Sequence, residues 1–147
     1  MVVTPGSHVT IDFVARYPDG ELFDTSIPEV AAEHGQADRR NHRPLVLEVG
    51  AEPAFDALQA ALLGMDEGGE KAVRVPHEQL RYVYEREAFE SMLGAPPEVG
   101  TKVETATGLV GTVVELGPDR VTVDFDPDRS GQTLTFEIEI LDVAPPG

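Results

Sequence analysis

Apolar and polar positions alternate at the start of the chain: Val9, Ile11, Phe13, Ala15 and Tyr17 fall on one face, Thr10, Asp12 and Arg16 on the other. A period of two predicts a half-buried strand. Pro18-Asp19-Gly20 is turn chemistry, and Leu22-Phe23 resumes an apolar stretch. Residues 25–43 are polar, with Arg39, Arg40 and Arg43 near their end, and read as a long flap loop with a helical turn at Pro28–His34. A second strand is predicted from Leu45 to Val49, stopping at Gly50. Pro53 then opens a helix in which Phe55, Leu58 and Leu62 share a face and which Gly64 ends. A strand at Lys71–Val75 stops at Pro76. Residues His77–Leu93 contain neither Gly nor Pro and read as helix or helical turns.

Ala95-Pro96-Pro97 marks a boundary. Beyond it, short β segments at 101–106, 109–116 and 120–125, separated by Gly108 and Gly117-Pro118-Asp119, fit a small meander. Leu134, Phe136, Ile138 and Ile140 then alternate against Thr135, Glu137 and Glu139, which predicts a long closing strand paired centrally in the first sheet. The expected class is α+β, with an antiparallel sheet wrapped on a short helix and a small β-rich second domain. Residues 1–82 with 128–147 form the first domain, and residues 83–127 loop out as an insert.

Composition narrows the function. The chain has 147 residues, of which 41% are hydrophobic, enough for a real core. Asp and Glu number 27 against 11 Lys and Arg, a formal charge of -16. That charge repels phosphate backbones and anionic lipid, so nucleic-acid and membrane partners are not expected. Lys71 and Lys102 are the only lysines. An acidic, lysine-poor surface suits a high-salt cytoplasm, where self-repulsion is screened, and points to a halophilic source. No cysteine is present, which excludes disulfides and thiolate chemistry. No apolar run reaches bilayer-spanning length and Met1–Ser7 lacks the pattern of a secretion signal, so a cytoplasmic location is expected. The four histidines are scattered singly, and Asp124, Asp126 and Asp128 read as a solvated acidic loop, so neither a metal nor any other cofactor is expected.

Several stretches together resemble the FKBP-type peptidyl-prolyl isomerases, in particular the SlyD-like branch and its archaeal members, which carry an insert-in-flap chaperone domain. They are Val9–Phe13, Pro18–Ser26 with its Phe23-Asp24-Thr25-Ser26, Pro44–Gly50, Leu62–Met65 followed by Gly68–Lys71, Val121–Phe125 and Gly131–Glu137. The resemblance implies an FKBP-like fold and rotamase activity. It implies a pocket of Phe13, Asp24, Phe55, Tyr82 and Phe136, with Phe23, Leu45, Ala54 and Leu58 as further substrate-binding walls. Phe13 stands where the family usually has Tyr, Leu45 at a position often aromatic, and Ala54-Phe55 in place of a Val-Ile pair whose backbone N–H receives a substrate carbonyl. His77–Tyr82 replaces a family "PxxAYG" stretch, leaving Arg81 or Tyr82 at its tyrosine. Asp126-Pro127 replaces an Asn-His pair. In the insert, Tyr84, Phe89 and Met92, with Tyr82, Leu93, Leu109, Val110 and Val113, are the apolar positions implied to bind unfolded chains.

Without the resemblance, Phe13, Phe23, Leu45, Phe55, Leu58 and Phe136 read as core residues, and Asp24 as a turn or N-cap carboxylate before Thr25. The expected partners are unfolded or proline-containing polypeptides, bound by a monomer. Two alternatives stand beside the isomerase with chaperone activity. One is a holdase of the same fold that binds unfolded chains without efficient isomerisation, and the other is a structural or partner-binding module.

Overall fold

Strand β1 (His8–Arg16) runs through the centre of the first sheet because its alternating side chains Val9, Ile11, Phe13 and Ala15 are all buried. The computed structural model describes residues 1–37, 42–50, 55–104, 109–127 and 131–146. Strands β2 (Leu22–Thr25) and β3 (Leu45–Glu48) share one edge of β1. The closing strand β9 (Leu134–Ala144) lies along its other edge, between β1 and β4 (Glu70–Val75). The central pairing expected for β9 is therefore observed. Helix α1 (Pro28–Glu33) follows β2, and α2 (Asp56–Leu62) packs on β4 with Leu58 and Leu62 buried. Pro53, Ala54, Arg39, Arg40, Gly108 and Asp128 lie outside the described residues.

The expectation of helix or helical turns from His77 to Leu93 fails at Arg81–Glu85. A 3-10 turn (His77–Leu80) leads into strand β5 (Arg81–Glu85), and only Arg86–Leu93, α3, is helical. The reason is in the residues: Tyr82, Val83 and Tyr84 are aromatic and β-branched, and they pair in register with Val123, Thr122 and Val121. A second antiparallel sheet results, in the order β5-β8-β7-β6, with β6 (Lys102–Glu104), β7 (Val110–Leu116) and β8 (Arg120–Asp124). Helix α3 rests on it through Phe89, and Gly94 ends the helix at φ 78°.

The two sheets meet where the chain passes from the 3-10 turn into β5 and again where it leaves β8. The Phe125 N–H donates to the Leu80 carbonyl at 2.9 Å. His77 Nε2 lies 3.1 Å from Asp124 Oδ2, which also faces Arg81 Nε at 3.4 Å. Tyr17 Oη donates to the Asp126 carboxylate at 3.0 Å. Asp124 and Asp126 are thus buried and engaged, which corrects the solvated loop expected from their alternation.

On the solvent face of the first sheet, Asp12 pairs across from Glu139, and Glu139 across from Glu70, a row of three carboxylates on adjacent strands. Like charges directly opposite each other destabilise a sheet, and salt screens the repulsion. Glu139→Gln is therefore expected to raise the thermal midpoint at low ionic strength by an amount worth about 0.5–1 kcal/mol. Thermal melts with and without molar salt check it: the gain should shrink as salt is added.

Candidate functional site

Four phenylalanines from four separate segments converge beneath the junction of the sheets. Phe13 on β1 and Phe136 on β9 stack with ring centroids 5.5 Å apart. Phe55, just before α2, meets Phe136 edge-on at 6.0 Å and Phe125 at 5.7 Å. Tyr82 on β5 packs against Phe55 at 6.3 Å, Phe125 at 6.0 Å and Tyr84 at 6.4 Å. Register explains the first pair, because Ala15 lies opposite Phe136 and Phe13 opposite Ile138, so the two rings are diagonal neighbours on the buried face.

The rings fill the site themselves. Phe13, Phe55 and Phe136 are 1%, 1% and 0% exposed, and Leu45 and Leu58 behind them are equally buried. Among the described residues these rings are in mutual contact. Phe55 is held in an unusual backbone conformation. It has φ 39°, ψ 112°, and is the one non-glycine residue with positive φ among the described residues. Such a conformation stores roughly 1–3 kcal/mol and persists only where its surroundings enforce it. Here the Phe55 N–H donates to Tyr82 Oη at 2.9 Å, and two residues on, the Ala57 N–H donates to the Gln79 side-chain carbonyl at 2.8 Å. The segment from His77 to Tyr82 thus supplies two acceptors that hold the start of α2.

Tyr82 therefore reaches the nest, while Arg81 faces outward against Asp124 with its side chain 44% exposed. Phe23 packs on Tyr17 at 5.9 Å. Asp24 is buried within β2, and its Oδ1 accepts the Thr25 N–H at 2.8 Å; the N-cap of α1 is Ile27, so Asp24 is not the N-cap that the sequence allowed. Beside Phe23 a cleft of about 480 Å³ opens between the sheets, walled by Tyr17, Phe125 and Asp126 among others. Ala54 lies outside the described residues.

On the second sheet the expected client-binding residues separate. Met92 is 75% exposed, Tyr84 is half-buried, and Phe89 is 2% exposed against Tyr84. Phe89 is thus a core residue of this sheet, which corrects its place on an exposed apolar surface; Leu109 and Val113 are buried as well. Val83 and Val99, which the sequence did not single out, are exposed instead. The sequence also gave no reason to choose Phe125, whose part in the nest is visible only once β8 is placed beside β5.

The family described as FKBP-type peptidyl-prolyl cis-trans isomerase matches residues 2–141 of the chain. A short-type peptidyl-prolyl cis-trans isomerase of Methanocaldococcus jannaschii is 31% identical over 98% of this chain and 96% of its own length. The FKBP-type 16 kDa peptidyl-prolyl cis-trans isomerase of Escherichia coli K12 is 26% identical over 97% of this chain and 95% of its own length. A solved peptidyl-prolyl cis-trans isomerase of Pseudomonas syringae superposes with a TM-score of 0.48 at 17% identity, covering 99% of this chain and 68% of that one.

Proposed function

The chain belongs to the FKBP-type peptidyl-prolyl cis-trans isomerases, and from that premise we propose that its X–Pro rotation takes place in the aromatic nest, which rests closed and opens by exchange of one hydrogen bond. Rotation of a peptide bond meets a barrier of ~18–20 kcal/mol, set by loss of amide resonance, and needs no nucleophile, metal or proton transfer. A dry apolar wall accelerates it by favouring the twisted imide over the planar one, whose larger dipole is better solvated by water. Phe13 and Phe136 form that wall, with Leu45 and Leu58 behind it, and Phe55 and Tyr82 are its lid. Phe23 and Asp24 border the pocket from β2. A substrate carbonyl takes the Phe55 N–H from Tyr82 Oη, the strained Phe55 relaxes, and its ring gives way to proline. The observation that carries this reading is the N–H of a strained residue already donating, at 2.9 Å, to a displaceable hydroxyl.

Tyr82→Phe tests it. The substitution keeps the ring and its contacts but removes the competing acceptor, whose net worth is about 1 kcal/mol. The kcat/KM for a proline peptide should rise roughly fivefold, through a lower KM. A fall to a tenth of the wild-type value would show that the hydroxyl serves the substrate directly, and the latch would be wrong.

A second activity fits the second sheet. We assign it, as in the SlyD-like branch, to an insert-in-flap chaperone domain that binds unfolded chains, with Val83, Met92 and Val99 exposed at 59%, 75% and 64% and Tyr84 half-buried. Adaptable, apolar side chains suit promiscuous binding. The charge of -16 and the acidic row across the first sheet suit a monomer working in a high-salt cytoplasm. Among the described residues no helix is long and apolar enough to cross a membrane.

A further inference from the structure

Strand β2 carries Phe23 and Asp24, and a buried histidine outside the nest contacts its Thr25 end and the backbone of Gln36. The His42 side chain is 3% exposed. Its Nδ1 lies 2.7 Å from the Thr25 carbonyl oxygen and its Nε2 lies 2.8 Å from the Gln36 carbonyl oxygen. Gln36 in turn donates from Nε2 to the Leu22 carbonyl at 2.9 Å. A carbonyl oxygen can only accept, and a neutral imidazole has one N–H, so two such contacts require a ring with hydrogen on both nitrogens. The Asp24 carboxylate, 6% exposed, stands 3.9 Å from Nδ1, close enough to favour such a ring. Of the other ionisable groups nearby in the sequence, His34 turns its Nδ1 to the Val30 carbonyl at 3.0 Å and Arg43 pairs with Glu104 at 3.5 Å.

We propose that His42 is a positioning residue for the isomerase: held as an imidazolium, it bridges Thr25 and Gln36, fastens the flap segment to β2 and balances the charge of Asp24. A ring with a single proton would turn a lone pair onto a carbonyl lone pair, so only the doubly protonated ring makes both contacts. The charge state stands on the hydrogen-bond geometry alone. Its effect on catalysis rests on the reading above that β2 borders the pocket.

Two measurements on the full chain test this. In nitrogen-15 NMR under the conditions of the peptide assay, both His42 ring nitrogens should carry a proton. A neutral tautomer would overturn the proposal. In the peptide assay, His42→Gln should be about tenfold lower in kcat/KM, with its thermal midpoint showing that it is folded and the amides of Thr25, Ile27 and Gln36 shifted from their wild-type positions. Wild-type kcat/KM in the variant would also overturn the proposal. If the wild-type protein were inactive on every proline peptide, the isomerase reading would fail, and the ring nitrogens would still decide the charge of His42.

Discussion

Phe136→Ala is expected to lower the unfolding free energy by about 3–5 kcal/mol and to abolish measurable isomerisation. The side chain is fully buried on the central strand β9, paired to β1 on one side and to Val73 of β4 on the other, and its ring touches both Phe13 and Phe55. Truncation removes the transfer free energy of the ring and leaves a cavity where three rings met. Domains of this size have a total stability of about 5–15 kcal/mol, so the variant should remain folded only at reduced temperature or high salt. Urea unfolding gives the first number and a proline-limited peptide assay below the melting range gives the second. Phe89→Ala is the control of equal chemistry. It should cost comparable stability from the second sheet, because Phe89 is core there, yet leave kcat/KM on a short peptide within about twofold. Equal losses of activity in both variants would mean that Phe136 does no more than hold the fold together.

Gly111→Ala should cost about 1–3 kcal/mol, a large effect for one methyl group. A Cβ built on Gly111 would lie 2.5 Å from Val123 Cγ1 and 3.0 Å from the Phe125 ring. Glycine is needed here for close approach: β7 must let the side chains of β8 and the residue after it lie against its backbone. Since Phe125 packs on both Phe55 and Tyr82, the added methyl presses the nest from behind as well. Stability by urea unfolding should fall, and the aromatic ring resonances of Phe55 and Tyr82 should shift together. Wild-type stability with unshifted rings would show that the second sheet accommodates the methyl without transmitting it.

The central strands of the first sheet were legible in the sequence because their patterns are local. The alternations through Phe13 and through Phe136 each announce a strand with one buried face, and the faces observed are those read. The run from His77 to Leu93 misled because absence of Gly and Pro is weak support for helix, whereas Tyr82-Val83-Tyr84 follows the propensities of a strand. The aromatic cluster was legible in part. Phe13, Phe55, Tyr82 and Phe136 do converge, but their order of approach, and the capture of the Phe55 N–H by a tyrosine 27 residues away, depend on tertiary placement that no spacing encodes. The same holds for His42, whose two carbonyl partners come from different segments, and for Asp124 and Asp126. Their alternation suggested solvent, yet each found a buried partner across the junction.

The most direct test of a closed nest that opens by hydrogen-bond exchange is a crystal structure with a proline peptide bound. The account predicts a substrate carbonyl within hydrogen-bonding distance of the Phe55 nitrogen, Tyr82 Oη displaced from it, and proline against Phe13 and Phe136. A bound proline peptide with the Phe55–Tyr82 hydrogen bond intact and the four rings unmoved would contradict it.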